Sequence, residues 1–400
     1  MTDAPRILEA GHSFSLRPKV HATHAPGAEL VTTLPSPPPV TDGAARLLTD
    51  DAEERAALAA VAPAAGEAPF VPGAFQLVRV PDAIVIVHPR TEGMALDREG
   101  GFLRPTRGSP RIFPGNPFVR FDRDQNWFFN DAIQVNATID RAFLGFCPAA
   151  ANYAHFLGLF VMRVIAARSR LRDTTFLVPD LPEYRAHYPT AMRNEFMFRL
   201  PEIAPLGSGN FYLPVPAGAY RVRDLFLFQP TGDRWDLMFQ PEILDVFAGL
   251  GAEALRRAGL TSAAARAHLP RRLYVSRQGA QRRRIMDHDA FAAAAEAAGY
   301  AARRMESLDF WDQAAHFAAA RQVISVHGAG CTSILFADPR SVLVEMYPRP
   351  LPTHLFVHPT LARGCRYVPL PCRRLNRDLD IEVDAAALAA ALARAEEAAS

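Results

Sequence analysis

The chain has 400 residues, more than one hydrophobic core normally serves, so two domains plus extensions are expected. A formal net charge of +2 argues against a general nucleic-acid binder, and a hydrophobic share of 49% is ordinary for a globular chain. The cysteines Cys147, Cys331, Cys365 and Cys372 include no C-x-x-C pair, which argues against a metal knot and fits a reduced cytoplasm. No apolar run approaches the ~18–20 residues of a membrane helix, and no basic segment followed by an apolar stretch opens the chain. The expectation is a cytoplasmic protein, with peripheral attachment at the inner face of the cell membrane still compatible. Lys19 is the only lysine, so an isolated arginine carries less information than usual.

Residues 1–65 read as a flexible extension: Leu34–Pro39 is polyproline-like, and Asp51–Val61 could form one alanine-rich helix. A β pattern follows, with Phe75–Val80 and Ala83–His88 expected as strands joined by Pro81-Asp82. Ile133–Asn136 and Ala142–Gly145 read as further short strands. Between the first pair of strands and the second, Asp122 and Asp124 form a D-x-D, which could hold a hard divalent cation or be a solvated turn. Asn152–Arg168 predicts a helix whose apolar stripe includes Tyr153, Phe156, Phe160 and Val164. His155 falls off that stripe, where it could serve as a general base or as a structural histidine.

Thr175–Val178 and Ala219–Phe228 read as strands, Pro189–Phe198 and Pro241–Ala258 as helices, and Thr261–Pro270 as a linker. The second half alternates more regularly. Strand Arg272–Ser276 leads into a loop carrying Arg277, Arg282, Arg283 and Arg284. Asp287 is a good N-cap and Gly299 a good C-cap for the next helix. Strand Tyr300–Met305 and helix Asp309–Ala320 follow. Val323–Val326 then reads as a buried strand, and His327-Gly328-Ala329-Gly330 as a sharp turn opening a short helix over Thr332–Phe336. Ser341–Met346 is the next apolar strand, with Glu345 near its end; Arg366–Leu370 is a late strand and Asp384–Ala399 a terminal helix. Successive βα units imply a parallel sheet with ligands outside the carboxyl ends of its strands. A turn at a helix N-terminus suits an anion, and a carboxylate one strand away suits a ribose diol. A nucleotide-diphosphate pocket is the reading these residues favour.

Three blocks carry a family resemblance. Asn152-Tyr-Ala-His155-Phe-Leu157 is one; Arg272-Leu-Tyr-Val-Ser-Arg277 with Arg282-Arg283-Arg284-Ile285 is the second; His327-Gly-Ala-Gly330 with Phe336 and Glu345 is the third. Together they resemble glycosyltransferase family 61, the capsular-polysaccharide type, over roughly residues 70–372. The resemblance implies an α/β, GT-B-like architecture of two Rossmann-like domains facing across a cleft. Residues 66–265 would form the acceptor domain, 266–372 the nucleotide-sugar domain, and 373–400 a C-terminal tail and helix. It further implies an inverting transfer, without a metal or other cofactor, from a UDP-sugar to a polysaccharide or other glycan. In that frame Arg277, Arg283, His327, Gly328, Ala329, Gly330, Thr332, Ser333 and Glu345 bind the nucleotide sugar. Asn152 and Tyr153 lie on the acceptor side, and His155 is the first candidate base, with Asp309 and Glu306 behind it. Arg282 and Arg284 leave the register of the paired arginines open by one. Cys331 stands where leucine is usual, Ser333 where asparagine is. Two other readings stay open: a metal-using GT-A enzyme built on Asp122 and Asp124, and a non-catalytic glycan- or nucleotide-binding protein of the same fold.

Overall fold

In the computed structural model the chain forms two compact units. One comprises Met1–Ser36, Gly73–Tyr188 and Met197–Met238; the other comprises Pro37–Pro72, Pro189–Phe196 and Phe239–Ser400. The structure describes residues 13–14, 27–37, 46–58, 74–88, 92–98, 103, 119–121, 127–129, 135–145, 152–180, 199–230, 238–262, 268–349 and 355–399. Asp122, Asp124 and the expected helix at Pro189–Phe198 lie outside them.

The first unit contains strands β1 (Ser13–Phe14), β2 (Glu29–Leu34), β3 (Phe75–His88), β4 (Glu92–Leu96), β5 (Val119–Phe121), β6 (Trp127–Phe129), β7 (Val135–Phe143), β8 (Thr175–Pro179), β9 (Phe211–Val215) and β10 (Gly218–Pro230). Its main sheet runs β2-β3-β10-β7-β8-β9, with β4 also on β3, and β1, β6 and β5 form a small separate sheet. This main sheet is mixed. β10, β7, β8 and β9 are parallel, while β2, β3 and β4 join antiparallel. Pro81-Asp82 does not break β3. The pairing with β10 continues through it, and Asp82 takes a left-handed φ of 51°, which aspartate tolerates better than most residues. The two short strands expected around residue 140 are the single strand β7. The helix after Asn152 is present, but Phe156–Val161 in its middle is π-helical, between α-helical Tyr153–His155 and Met162–Arg168.

The second unit contains β11 (Arg272–Val275), β12 (Ala301–Arg303), β13 (Gln322–Val326), β14 (Val342–Pro348), β15 (Arg366–Arg374) and β16 (Ile381–Glu382). They form a six-stranded sheet in the order β12-β11-β13-β14-β15-β16, parallel except for β16. β13 and β14 are buried at every residue, which is why both read as near-continuous apolar runs. One face presents Tyr274, Ile324, Val326, Val344, Met346 and Val368 to the helices His288–Ala297 and Ala385–Ala399. Asp287 caps the first of these helices as expected, accepting from the Ala290 N–H at 3.4 Å. On β12 the strand is shorter than its apolar pattern suggests, and Met305–Ser307 is a 3₁₀ turn.

Helix Pro241–Arg257 packs against helix Phe310–Ala319 and against Ala329–Phe336, which is 3₁₀ rather than α-helical throughout. The Phe247 and Phe336 rings meet at 5.7 Å, and Phe310 and Phe336 at 5.6 Å. Gly251 lets these elements approach: a Cβ there would fall 2.5 Å from the Phe336 carbonyl oxygen, a backbone atom that cannot swing aside. Gly251→Ala is therefore expected to cost about 1–3 kcal/mol through overpacking. A denaturant midpoint unchanged from wild type would show that the helix moves freely over the 3₁₀ turn.

Part of the N-terminal segment is built into this unit. Leu47 bridges to Tyr367, and Leu48 N–H donates to the Tyr367 carbonyl at 2.8 Å. The helix Ala52–Leu58 brings buried Glu54 to the Tyr347 hydroxyl and to Arg349, which also reaches Asp51 and Glu53. Burial of Glu54 is offset by the Tyr347 hydroxyl on β14 and by the Arg349 guanidinium just beyond that strand.

Candidate functional site

In the second sheet β12 lies on one side of β11 and β13 on the other. In an open α/β sheet, the crevice where strand order reverses lies outside the carboxyl ends of the two central strands. These are β11 and β13. The first delivers Ser276 and Arg277, the second His327 and Gly328. Two sequence blocks far apart in the chain thereby meet.

Gly328 has extended backbone, with φ 174°, so glycine is needed there for space rather than for a special dihedral. A Cβ on it would fall 2.4 Å from Arg277 Nη1. The Arg277 guanidinium thus lies directly on the glycine. Its Nη2 donates to the Arg282 carbonyl at 3.0 Å, and its buried Nε makes no hydrogen bond among the described residues. Arg283 is one of few non-glycine residues with positive φ, at 58°. Its neighbours hold that conformation. Arg283 N–H donates to the Asp378 carbonyl at 3.0 Å, and Ile381 N–H donates to the Arg284 carbonyl at 2.9 Å. The buried Asp380 carboxylate accepts from Arg284 N–H at 2.8 Å and from its guanidinium Nη2 at 2.6 Å. The Arg284 guanidinium holds the Asp380 carboxyl far below the ordinary carboxylate range, so this clamp stays charged well into acid. From this loop Arg283 Nη1 reaches the His327 carbonyl at 3.4 Å.

The arginines of this loop differ in their partners. Arg282 pairs with Asp378 at 3.6 Å and Arg284 with Asp380, whereas Arg277 and Arg283 have no carboxylate partner among the described residues. Burial, and after it the proximity of Arg283, pushes the Arg277 guanidinium below its ordinary value; burial, and after it Arg282, does the same to Arg283. Guanidinium groups nonetheless stay charged, so two partly desolvated cations face each other without a counter-ion. An anion between them would offset both penalties at once. Backbone donors add to this. The N–H groups of Gly328, Ala329 and Gly330 enter no hydrogen bond among the described residues, while Cys331 N–H turns back to the Gly328 carbonyl at 2.9 Å.

The remaining expected residues divide. His327 and Glu345 are both buried, and His327 Nδ1 lies 2.5 Å from Glu345 Oε1. Tyr367 donates its hydroxyl to Glu345 Oε2 at 2.9 Å. Glu345 was expected to accept from ribose hydroxyls at the sheet rim; instead it is fully buried, and both oxygens are engaged inside the chain. Thr332 and Ser333 are buried in the 3₁₀ turn, where the Thr332 hydroxyl makes no hydrogen bond among the described residues. Cys331 is buried too, and burial pushes its thiol up to about 12, so it is no nucleophile.

Asp309 caps helix Phe310–Ala319, accepting from Asp312 N–H at 2.8 Å, and Glu306 pairs with Arg304 at 3.0 Å. Each therefore has a local structural task. Asn152, Tyr153 and His155 belong to the first unit. Asn152 is an N-cap, its side chain accepting from Ala154 N–H at 2.9 Å, and Tyr153 is buried. His155 is half-buried and immediately precedes the π-helical segment, a feature frequent near functional sites. Among the described residues no three His, Cys, Asp or Glu side chains group as metal ligands, and no helix is long and apolar enough to cross a membrane. Sequence reasoning missed Tyr367 and Asp380; each acts through a partner distant in the chain, and neither stands in a recognisable spacing.

The glycosyltransferase 61 family model matches residues 147–344. The chain belongs to glycosyltransferase family 61. The matched stretch contains His155, both unpaired arginines and the His327–Gly330 turn, and it ends just before Glu345. Membership makes this family 61 chain a glycosyltransferase, with a sugar donor and a glycan acceptor as its substrates. No curated protein matches the chain.

Proposed function

We propose that this family 61 member is an inverting glycosyltransferase that moves a sugar from UDP to a polysaccharide or other glycan without a metal or other cofactor. The reading places the enzyme in the cytoplasm, peripheral to the membrane, in capsule-type polysaccharide synthesis. It also takes the two units as a GT-B-like pair, the first for acceptor and the second for donor. The observation that carries it is the pair of half-buried arginines, Arg277 and Arg283, that among the described residues have no carboxylate partner and lie beside three backbone N–H groups without an acceptor.

The acceptor hydroxyl oxygen bonds to the sugar C1 as the bond from C1 to the β-phosphate oxygen breaks. The bonding pair leaves on the diphosphate, and the acceptor's proton passes to a base. Negative charge grows on the departing phosphate, and preorganised donors meet it best. Arg277, Arg283 and the Gly328–Gly330 amides are such donors. His155 is the base this reading assigns, an imidazole suited to taking a proton near neutral pH.

Transfer from a UDP-sugar should persist in excess EDTA, with the new anomeric centre inverted by NMR. Activity that EDTA abolishes and Mn²⁺ restores would overturn the metal-free reading. A product of retained configuration would overturn the single displacement.

A further inference from the structure

The buried carboxylate of Glu345 has two partners and both are protein. A carboxylate only accepts, so the 2.5 Å contact requires a hydrogen on His327 Nδ1. The Tyr367 hydroxyl secures the other oxygen from the next strand, which fixes the carboxylate plane. The Phe356 ring meets the imidazole edge-on at 4.9 Å and limits its rotation. Nε2 is then the one ring nitrogen with no hydrogen-bonding partner among the described residues. The same residue's carbonyl faces Arg283, and the glycine after it carries the Arg277 guanidinium.

We propose that Glu345 and Tyr367 are positioning residues for His327, holding the ring as an imidazolium whose Nε2–H donates to the departing diphosphate, and that Glu345 does not bind the ribose. This rests on the reading of the pocket as a nucleoside-diphosphate site. Carboxylates and phenols that orient a working imidazole act on the reaction through that imidazole alone. Their effect must vanish once the imidazole is gone.

The experiment compares kcat and KM for the UDP-sugar in wild type, Tyr367→Phe, Glu345→Gln, His327→Gln and the double variant His327→Gln/Glu345→Gln. UDP binding by calorimetry and thermal melting accompany each. Glu345→Gln should lower kcat about 10–100-fold with KM within about twofold. Tyr367→Phe, which removes only the outer hydrogen bond, should lower kcat about 3–10-fold. The double variant should equal His327→Gln alone within about twofold. Multiplied losses in the double variant, or a raised KM with kcat intact, would overturn the proposal and return Glu345 to direct nucleotide contact. If Glu345→Gln fails to fold, Tyr367→Phe decides: kcat unchanged from wild type overturns the proposal. A wild type that neither binds UDP nor uses a UDP-sugar overturns the pocket reading itself, which the first calorimetric arm reveals before any variant is made.

Discussion

Arg283→Ala is expected to lower kcat/KM for the sugar donor by about 10²–10³-fold, the usual loss when one preorganised donor to a developing oxyanion is removed. UDP affinity should fall with it. The fold should barely respond, because among the described residues the side chain's one hydrogen bond is a long one, 3.4 Å to the His327 carbonyl. The backbone at φ 58° is held by Asp378 and Ile381 whatever the side chain. Arg283→Gly is the matched control: glycine accepts that φ without strain, so activity should be lost equally while stability holds or rises. Arg282→Ala, next in the chain but exposed and paired with Asp378, should stay within about threefold of wild type, as surface pairs contribute little. Loss in Arg282→Ala with activity kept in Arg283→Ala would reverse the assignment of the pair. Wild-type transfer in both would remove the pocket.

Gly328→Ala is the second substitution with a large expected effect, and it adds a single methyl group. That methyl would arrive 2.4 Å from Arg277 Nη1, inside contact distance. The obstacle is the tip of a flexible side chain, so the guanidinium swings away and the fold survives. What is lost is the alignment of Arg277 with Arg283 and the close approach of a ligand to the Gly328 and Ala329 amides. A displacement of this size in a transition-state contact typically costs about 10²-fold in rate. The expected result is a kcat/KM reduced by about that factor with a melting temperature within a degree or two of wild type. A large drop in melting temperature instead would mean that Arg277 cannot move and that the glycine serves folding. Full activity would show that Arg277 does not act from its observed position.

The second unit was largely legible from local pattern. Its central strands β13 and β14 are buried on both faces, its helices carry Asp287 and Asp309 as caps, and the turn after β13 announces itself through glycine. The first unit was less so. Pro81-Asp82 carries turn chemistry, yet pairing with β10 carries β3 straight through it, with β2 on the other edge before the dipeptide and β4 after it. Tertiary hydrogen bonding outweighed a local signal there. The π-helical segment at Phe156–Val161 has the same apolar stripe as an α-helix, so periodicity does not distinguish the two. In the site, the charges were legible but their pairing was not. Four neighbouring arginines look alike in one dimension. Only Asp378 and Asp380, near the end of the chain, decide which of them are neutralised and which are left to meet a ligand. Glu345 shows the converse: its position on the strand was read correctly, but its use depends on Tyr367 one strand further on.

The Glu54 contact with Tyr347 spans a sequence separation of 293 residues, and the chain passes between the two units at 36/37, 72/73, 188/189, 196/197 and 238/239. During synthesis the helix Ala52–Leu58 leaves the ribosome long before the surface that receives it exists. Its apolar residues must wait, shielded or exposed, until nearly the whole polypeptide has been made, and closing so wide a loop is slow. Neither unit can therefore be excised by a single cut. A fragment beginning at residue 266 would retain the arginines but leave the Tyr347 hydroxyl without its acceptor. Completion of the second unit therefore waits for residues 47–54, made early, to dock on a sheet made late.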